Sequence, residues 1–160
     1  LDMHSFLSCH QFHADPFSPL KEEVTYHVRA NTRYAVEENQ RVQLFSELSG
    51  GASLSHSKRS FALMGEMMYQ SHNAYSECGL GSKATDILIE MCRAAGVEKG
   101  IYGAKITGGG AGGTVAILAE KSAKTTIEKI FETYKNASFG NPYLFEGSSD
   151  GADEYGIIMC

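Results

Sequence analysis

One stretch of the chain is suited to holding charge. Residues 105–115 read Lys-Ile-Thr-Gly-Gly-Gly-Ala-Gly-Gly-Thr-Val, so five of the six positions from 108 to 113 are glycine. Glycine loses more backbone entropy on ordering than any other residue. A run of it makes sense where main chain takes positive φ or comes very close to another group. A row of N–H groups with no side chains in front of them can cradle a phosphate. Gly108-x-Gly110-x-x-Gly113 has the GxGxxG form, but a dinucleotide site needs a helix after the loop. Here the apolar, strand-like Thr114-Val115-Ala116-Ile117-Leu118 follows. A protein-kinase glycine loop would need VAIK, HRD and DFG elements downstream, and none is present. There is no GxxxxGK[ST] P-loop either. A plain hairpin turn remains open as a reading, although it needs only one or two glycines.

A second candidate is Gly79-Leu80-Gly81-Ser82. Free N–H groups at a helix start attract anions, and a helix-breaking turn with a Ser cap explains the same residues. Ser71 and His72 end the helix before it, where polar groups can reach a cleft. His4, His10, His13 and Asp15 match no metal-ligand spacing. They read as loop histidines on an N-terminal arm, and no metal site is expected.

Charge and composition narrow the function. A net charge of −5 argues against general nucleic-acid binding, which needs a basic surface. It leaves room for one local anion site. The 160 residues suffice for a single core, and the 42% hydrophobic and 21% charged fractions are those of an ordinary globular domain. No apolar run reaches the ~18 residues that span a bilayer, so no membrane partner is expected. The N-terminus has no signal-peptide pattern and no initiator Met, so a fragment of a longer chain is expected. Cys9, Cys78, Cys92 and Cys160 are scattered without a CxxC, which suits a reducing, cytoplasmic setting. Cys92 falls on an apolar helix stripe and reads as a buried thiol.

The elements that must position these residues follow from periodicity. Residues 1–23 read as an irregular, extended arm, with Asp15-Pro16-Phe17-Ser18-Pro19 as turn chemistry. Val24, Tyr26 and Val28 alternate with polar residues, which predicts a strand over 24–29. Val42, Phe45 and Leu48 predict a helix over 32–49, ended by Gly50-Gly51. Phe61, Met64, Met68 and Tyr75 predict a second helix over 58–75, its Met stripe serving as adaptable core. Ser82 caps a third over 83–95, with Asp86 in its first turn and Gly96 at its end. Strands are predicted at 101–107 and 114–119, a helix at 122–137, and short strands at 142–145 and 155–159. The order β-α-α-α-β-β-α-β-β predicts an α+β fold: a largely antiparallel sheet of four to five strands with helices on one face. No internal repeat or linker is found.

These residues resemble a known family. The stretch Tyr102-Gly103-Ala104-Lys105-Ile106-Thr107 and the glycines after it are similar to the third signature motif of the GHMP small-molecule kinases, in the galactokinase-like form. Val28-Arg29-Ala30 with the helix through Glu37 to Val42 resembles the segment that opens their C-terminal domain. Gly65-Glu66-Met67-Met68-Tyr69-Gln70-Ser71-His72 resembles their "LM…SH" helix. Cys78-Gly79-Leu80-Gly81-Ser82, Thr85-Asp86 and Phe145-Glu146-Gly147-Ser148-Ser149 are similar to the L-arabinokinase branch. The resemblance covers most of the chain from about residue 15.

It implies a GHMP kinase C-terminal domain of ferredoxin-like fold over residues 24–160, with no catalytic residue of its own. An N-terminal kinase domain of the same protein would supply the Gly-Leu-Gly-Ser-Ser-Ala phosphate motif and the catalytic Asp. It implies ATP and Mg²⁺ as cofactors and a monosaccharide as substrate, phosphorylated at a hydroxyl, expected at C1. The isolated chain would then be inactive. Thr107, Gly108, Gly109, Gly110, Ala111, Gly112 and Gly113 would bind the nucleotide phosphates, and a side chain at Gly110 would fill the phosphate space. Ser71, His72, Gly79, Gly81 and Ser82 would lie on the substrate side. The alternative is a binding or regulatory domain, or a docking module, that keeps the fold without catalysis.

Overall fold

The computed structural model of the chain describes residues 2–10, 17–50, 57–137 and 141–147. Among them the order is α1 (Met3–Cys9), α2 (Val28–Gly50), α3 (Lys58–Glu77), α4 (Lys83–Ala95), β1 (Ile101–Thr107), β2 (Thr114–Ala119) and α5 (Lys124–Asn136). The fold is α+β. The two strands form an antiparallel hairpin, with Thr107 opposite Thr114, Ile106 opposite Val115 and Ala104 opposite Ile117. The register is irregular between Ile101 and Gly103.

Local chemistry sets most helix ends. The Ser57 side chain caps α3 by accepting from the Ser60 N–H, and the Ser82 side chain caps α4 by accepting from the Thr85 N–H. Asp86 in the first turn of α4 and Arg93 in the last both suit the helix dipole. The helix stops at Gly96, whose φ of 66° is left-handed and cheap only for glycine. Helix α2 carries the ladder Arg33–Glu37–Arg41, with ion pairs of 2.8 Å at each i, i+4 step.

The core lies where α4 and α5 meet the hairpin. Ile89 and Cys92 of α4, Ile101 and Ala104 of β1, Ala123, and Ile130 of α5 are buried together, joined by Tyr69 of α3. Each fully buried Ile contributes about 1.5–3 kcal/mol. Cys92 is a buried free thiol, and burial pushes its pKa up to about 11. Alternate residues of β1 meet different helices. Ala104 joins this core, whereas Lys105 reaches α2 and α3. Gly103 and Gly65 of α3 press main chain against main chain: a β-carbon on either would overlap the other segment's backbone.

Three expectations are corrected. Residues 24–29 are not a strand. The Lys21 N–H donates to the Tyr26 hydroxyl at 2.9 Å and the Val28 N–H to the Tyr26 carbonyl at 3.0 Å, so the segment turns on itself and α2 starts at Val28. Residues 142–145 are not a strand either. Pro142 cannot donate to a ladder, and the segment borders a cavity it shares with residues of α4, β2 and α5, with Tyr143 and Phe145 largely exposed. The N-terminal arm carries the short helix α1, capped by Asp2, which contains His4; His13 and Asp15 lie outside the described residues. The strand expected at 155–159 also lies outside them, so the described sheet has two strands rather than four to five.

The Gly65–Gly103 crossing tolerates no side chain. Gly65→Ala is expected to cost about 1–3 kcal/mol of stability, because the methyl meets main chain that cannot rotate away. Urea unfolding of the variant against the parent chain measures it. An unchanged midpoint would show that α3 can move off β1 freely.

Candidate functional site

The glycine loop is the six-residue connection between β1 and β2. Its backbone is unusual at five of the six positions. Gly108 (φ 79°), Gly110 (88°), Ala111 (60°), Gly112 (125°) and Gly113 (101°) all lie in the left-handed half of conformational space. Conformation alone therefore demands four of the five glycines. Gly109 is different: its φ is not positive, and no atom lies within 4 Å of where a β-carbon would sit. Gly108, Gly112 and Gly113 are also open on that side.

Gly110 is not open. A β-carbon there would lie 2.6 Å from the Leu80 carbonyl oxygen and 3.1 Å from the Tyr75 ring. Its lack of a side chain lets the loop seat on the end of α3 and the turn after it. This corrects the expectation that a side chain at Gly110 would fill phosphate space; it would displace the turn first.

Two hydrogen bonds hold the seat. The Tyr75 hydroxyl donates to the Gly108 carbonyl at 2.8 Å, and the Ala111 N–H donates to the Leu80 carbonyl at 2.7 Å. Ala111 is the loop's left-handed non-glycine residue, a conformation costing on the order of 1–2 kcal/mol, and it is the residue so tethered. The two glycine stretches that the sequence offered separately are thus stitched into one surface. Gly112, Gly113 and Thr114 line a cavity of about 760 Å³ together with Ser82, Ala84 and Thr85 at the start of α4. The start of α4 and the end of the glycine loop thus border the same space.

The other substrate-side candidates sit elsewhere. Gly81 packs against Ser76, whereas Gly79 is open with φ 79°. Ser71 is 3% exposed and His72 4%. Ser71 donates to the Glu38 carboxylate at 2.5 Å and receives Lys105 Nζ at 2.7 Å. Lys105 also reaches Glu38 at 3.1 Å, and Arg41 pairs with the same carboxylate at 2.6 Å. Burial raises the pKa of Glu38, but hydrogen bonds from Ser71, Arg41 and Lys105 outweigh it and hold the carboxyl below its ordinary range. This network edges a second cavity, of about 470 Å³, between α2, α3 and the hairpin.

His72 Nε2 bonds Asp86 at 3.1 Å, and its buried Nδ1 meets no partner among the described residues. Burial lowers the His72 pKa, only partly opposed by Asp86.

Sequence reasoning did not single out Tyr75, Leu80, Glu38 or Lys105, whose contacts shape the loop and its surroundings. Lys105 carried a usable signal: it is the one charged residue in a strand of otherwise uncharged residues, placed just before the loop. Among the described residues, no three His, Cys, Asp or Glu side chains gather to hold a metal ion. No helix among them is long and apolar enough to cross a membrane.

Residues 52–136, which hold α3, α4, the hairpin and α5, match the family described as GHMP kinases C terminal. The chain is a GHMP kinase C-terminal domain. It is 36% identical to L-arabinokinase of Arabidopsis thaliana over 162 residues, covering 96% of this chain and 15% of that protein. It is 30% identical to galactokinase of Thermotoga petrophila over 137 residues, covering 83% of this chain and 36% of that one. Galactokinase of Thermosipho africanus is 32% identical over 91 residues, 55% of this chain and 25% of its own. The chain thus spans well under half the length of these relatives.

The buried His72 is expected to make the domain's stability pH-dependent. With its folded pKa depressed, the native state binds fewer protons than the unfolded chain in the interval below the ordinary value of about 6.5. Stability should therefore be full above that value and fall as pH drops through the interval. Glu38, also depressed, adds a further loss below its own ordinary range. Urea midpoints measured from pH 8 to pH 4 should show this decline, and His72→Gln should flatten its upper part. A parent chain equally stable at pH 7 and pH 5 would contradict it.

Proposed function

We propose that the domain forms one side of the active site of an ATP-dependent monosaccharide kinase. The family membership and the sugar-kinase names of its relatives support that class. The observation that carries the role of the loop is Gly109, a glycine required by neither backbone conformation nor packing. A bare position of that kind, next to Gly108, where a β-carbon would also meet open space, fits close approach by a phosphate group. Thr107, Gly108, Gly109, Gly110, Ala111, Gly112 and Gly113 form the nucleotide-phosphate lip. Ser82 at the start of α4 lines one cavity with Gly112 and Gly113, the last two residues of the lip.

The reaction in this reading is transfer of the γ-phosphoryl group from ATP to a sugar hydroxyl, at C1. The hydroxyl oxygen forms the new bond to phosphorus, the bond to the β-phosphate oxygen breaks, and ADP leaves. The proton of the hydroxyl passes to a base on the N-terminal domain of the same protein. Charge develops on the equatorial phosphoryl oxygens, and loop N–H groups held in advance stabilise it without reorganising. Mg²⁺ accompanies the nucleotide; no ligand for it is assigned in this chain. Separated from the partner domain, the chain has the lip without the base and is inactive.

Gly109→Ala in the full-length protein separates ligand approach from folding. The methyl enters open space at an unstrained φ, so the melting temperature should stay within about 1 °C. Sugar-dependent ATP turnover should fall about tenfold or more, the loss expected when one group of oriented donors is pushed away. Full activity in that variant would reduce the loop to a hairpin turn.

A further inference from the structure

Tyr75 stands at the junction of everything that shapes the glycine loop. It lies near the end of α3, and the ring is packed against Tyr34 of α2 with centroids 5.5 Å apart. Its hydroxyl donates to the Gly108 carbonyl at 2.8 Å. Its ring edge lies 3.1 Å from the point a Gly110 β-carbon would occupy. The Tyr75 carbonyl accepts from the Leu80 N–H at 3.2 Å, so the same residue also closes the turn whose Leu80 carbonyl holds Ala111. The loop thus touches α3 through two hydrogen bonds, one made directly by Tyr75 and one through the turn it closes.

We propose that Tyr75 is a positioning residue, setting the glycine loop against the α3–α4 turn so that its backbone donors are fixed before the nucleotide phosphates arrive. The inference rests on the kinase reading for its ligand but on contacts within this chain for its mechanism. A loop with five left-handed residues has many competing conformations, and each one excluded in advance is entropy not spent on binding. Removing the hydroxyl leaves the buried part of α3 intact, because Tyr75 is only half-buried and lies outside the Ile89–Cys92 core.

The test uses the full-length protein and compares Tyr75→Phe and Tyr75→Ala with the parent. Two readouts are taken: steady-state kinetics with ATP and the accepted sugar, and amide hydrogen exchange across residues 108–113 without ligand. Loss of one hydrogen bond is expected to raise the KM for ATP about three- to tenfold in Tyr75→Phe, more in Tyr75→Ala. The KM for sugar and the melting temperature of Tyr75→Phe should not move, and loop amides should exchange about three- to tenfold faster. An ATP KM within twofold of the parent overturns the proposal, as does a rise shared equally by the sugar KM with a lowered melting temperature. Should the parent protein show no sugar-dependent turnover, the kinase reading fails by itself. Hydrogen exchange then decides the positioning role, since unchanged loop protection in Tyr75→Phe overturns it and faster exchange sustains it.

Discussion

The approach of α3 to β1 is the constraint on which the rest of the site depends. Gly65 and Gly103 bring two stretches of main chain into direct contact, closer than any β-carbon would allow. From that crossing α3 runs along the strand toward the loop. One turn and a half later Ser71 meets Lys105, and one turn beyond that Tyr75 meets Gly108. A wider separation, set by alanine or a larger residue, would carry Ser71 and Tyr75 out of hydrogen-bond range. Packing at one end of the helix is thereby converted into loop geometry at the other.

Lys105, Glu38 and Ser71, polar groups on this axis, hold one another. Lys105 points from a largely buried strand, and its charge is met by Glu38 and Ser71. Glu38 is in turn held by Arg41, so α2, α3 and β1 share one network. Such a cluster contributes less to net stability than its bond count suggests, since burying each ion has its own cost. Its effect is directional: Lys105 lies three residues before Gly108, so fixing its side chain fixes the exit of the strand into the loop. His72 and Asp86 do the same between α3 and α4, the two helices that flank the turn under Gly110.

Much of this was legible in the residues. The two strands were read to the residue, because a continuous apolar run bounded by glycine admits few other placements. Ser82 and Gly96 marked the ends of α4 by their own chemistry. The strand read over 24–29 failed for a different reason. Alternation specifies that a strand would have a buried side, not that a partner edge exists, and Tyr26 found hydrogen bonds within its own turn instead. In the loop, the excess of glycine was legible but its division was not. Counting glycines could not show that four are required by φ, that Gly110 among them is also required by the nearness of Leu80, and that Gly109 is required by neither.

The sequence by itself determined what depends on neighbours a few residues apart: helix caps, strand limits, the α+β class, the family motif and the presence of a side-chain-free loop. These follow from backbone sterics and short-range hydrogen bonds, which any tertiary arrangement must respect. Only the tertiary structure decided that Lys105 pairs with Glu38, 67 residues away, that Ser71 and His72 turn inward, and that the turn at Leu80 carries the glycine loop. Those pairings depend on how closely α3 lies on β1, a distance set by the meeting of Gly65 with Gly103 and by no property of either segment alone.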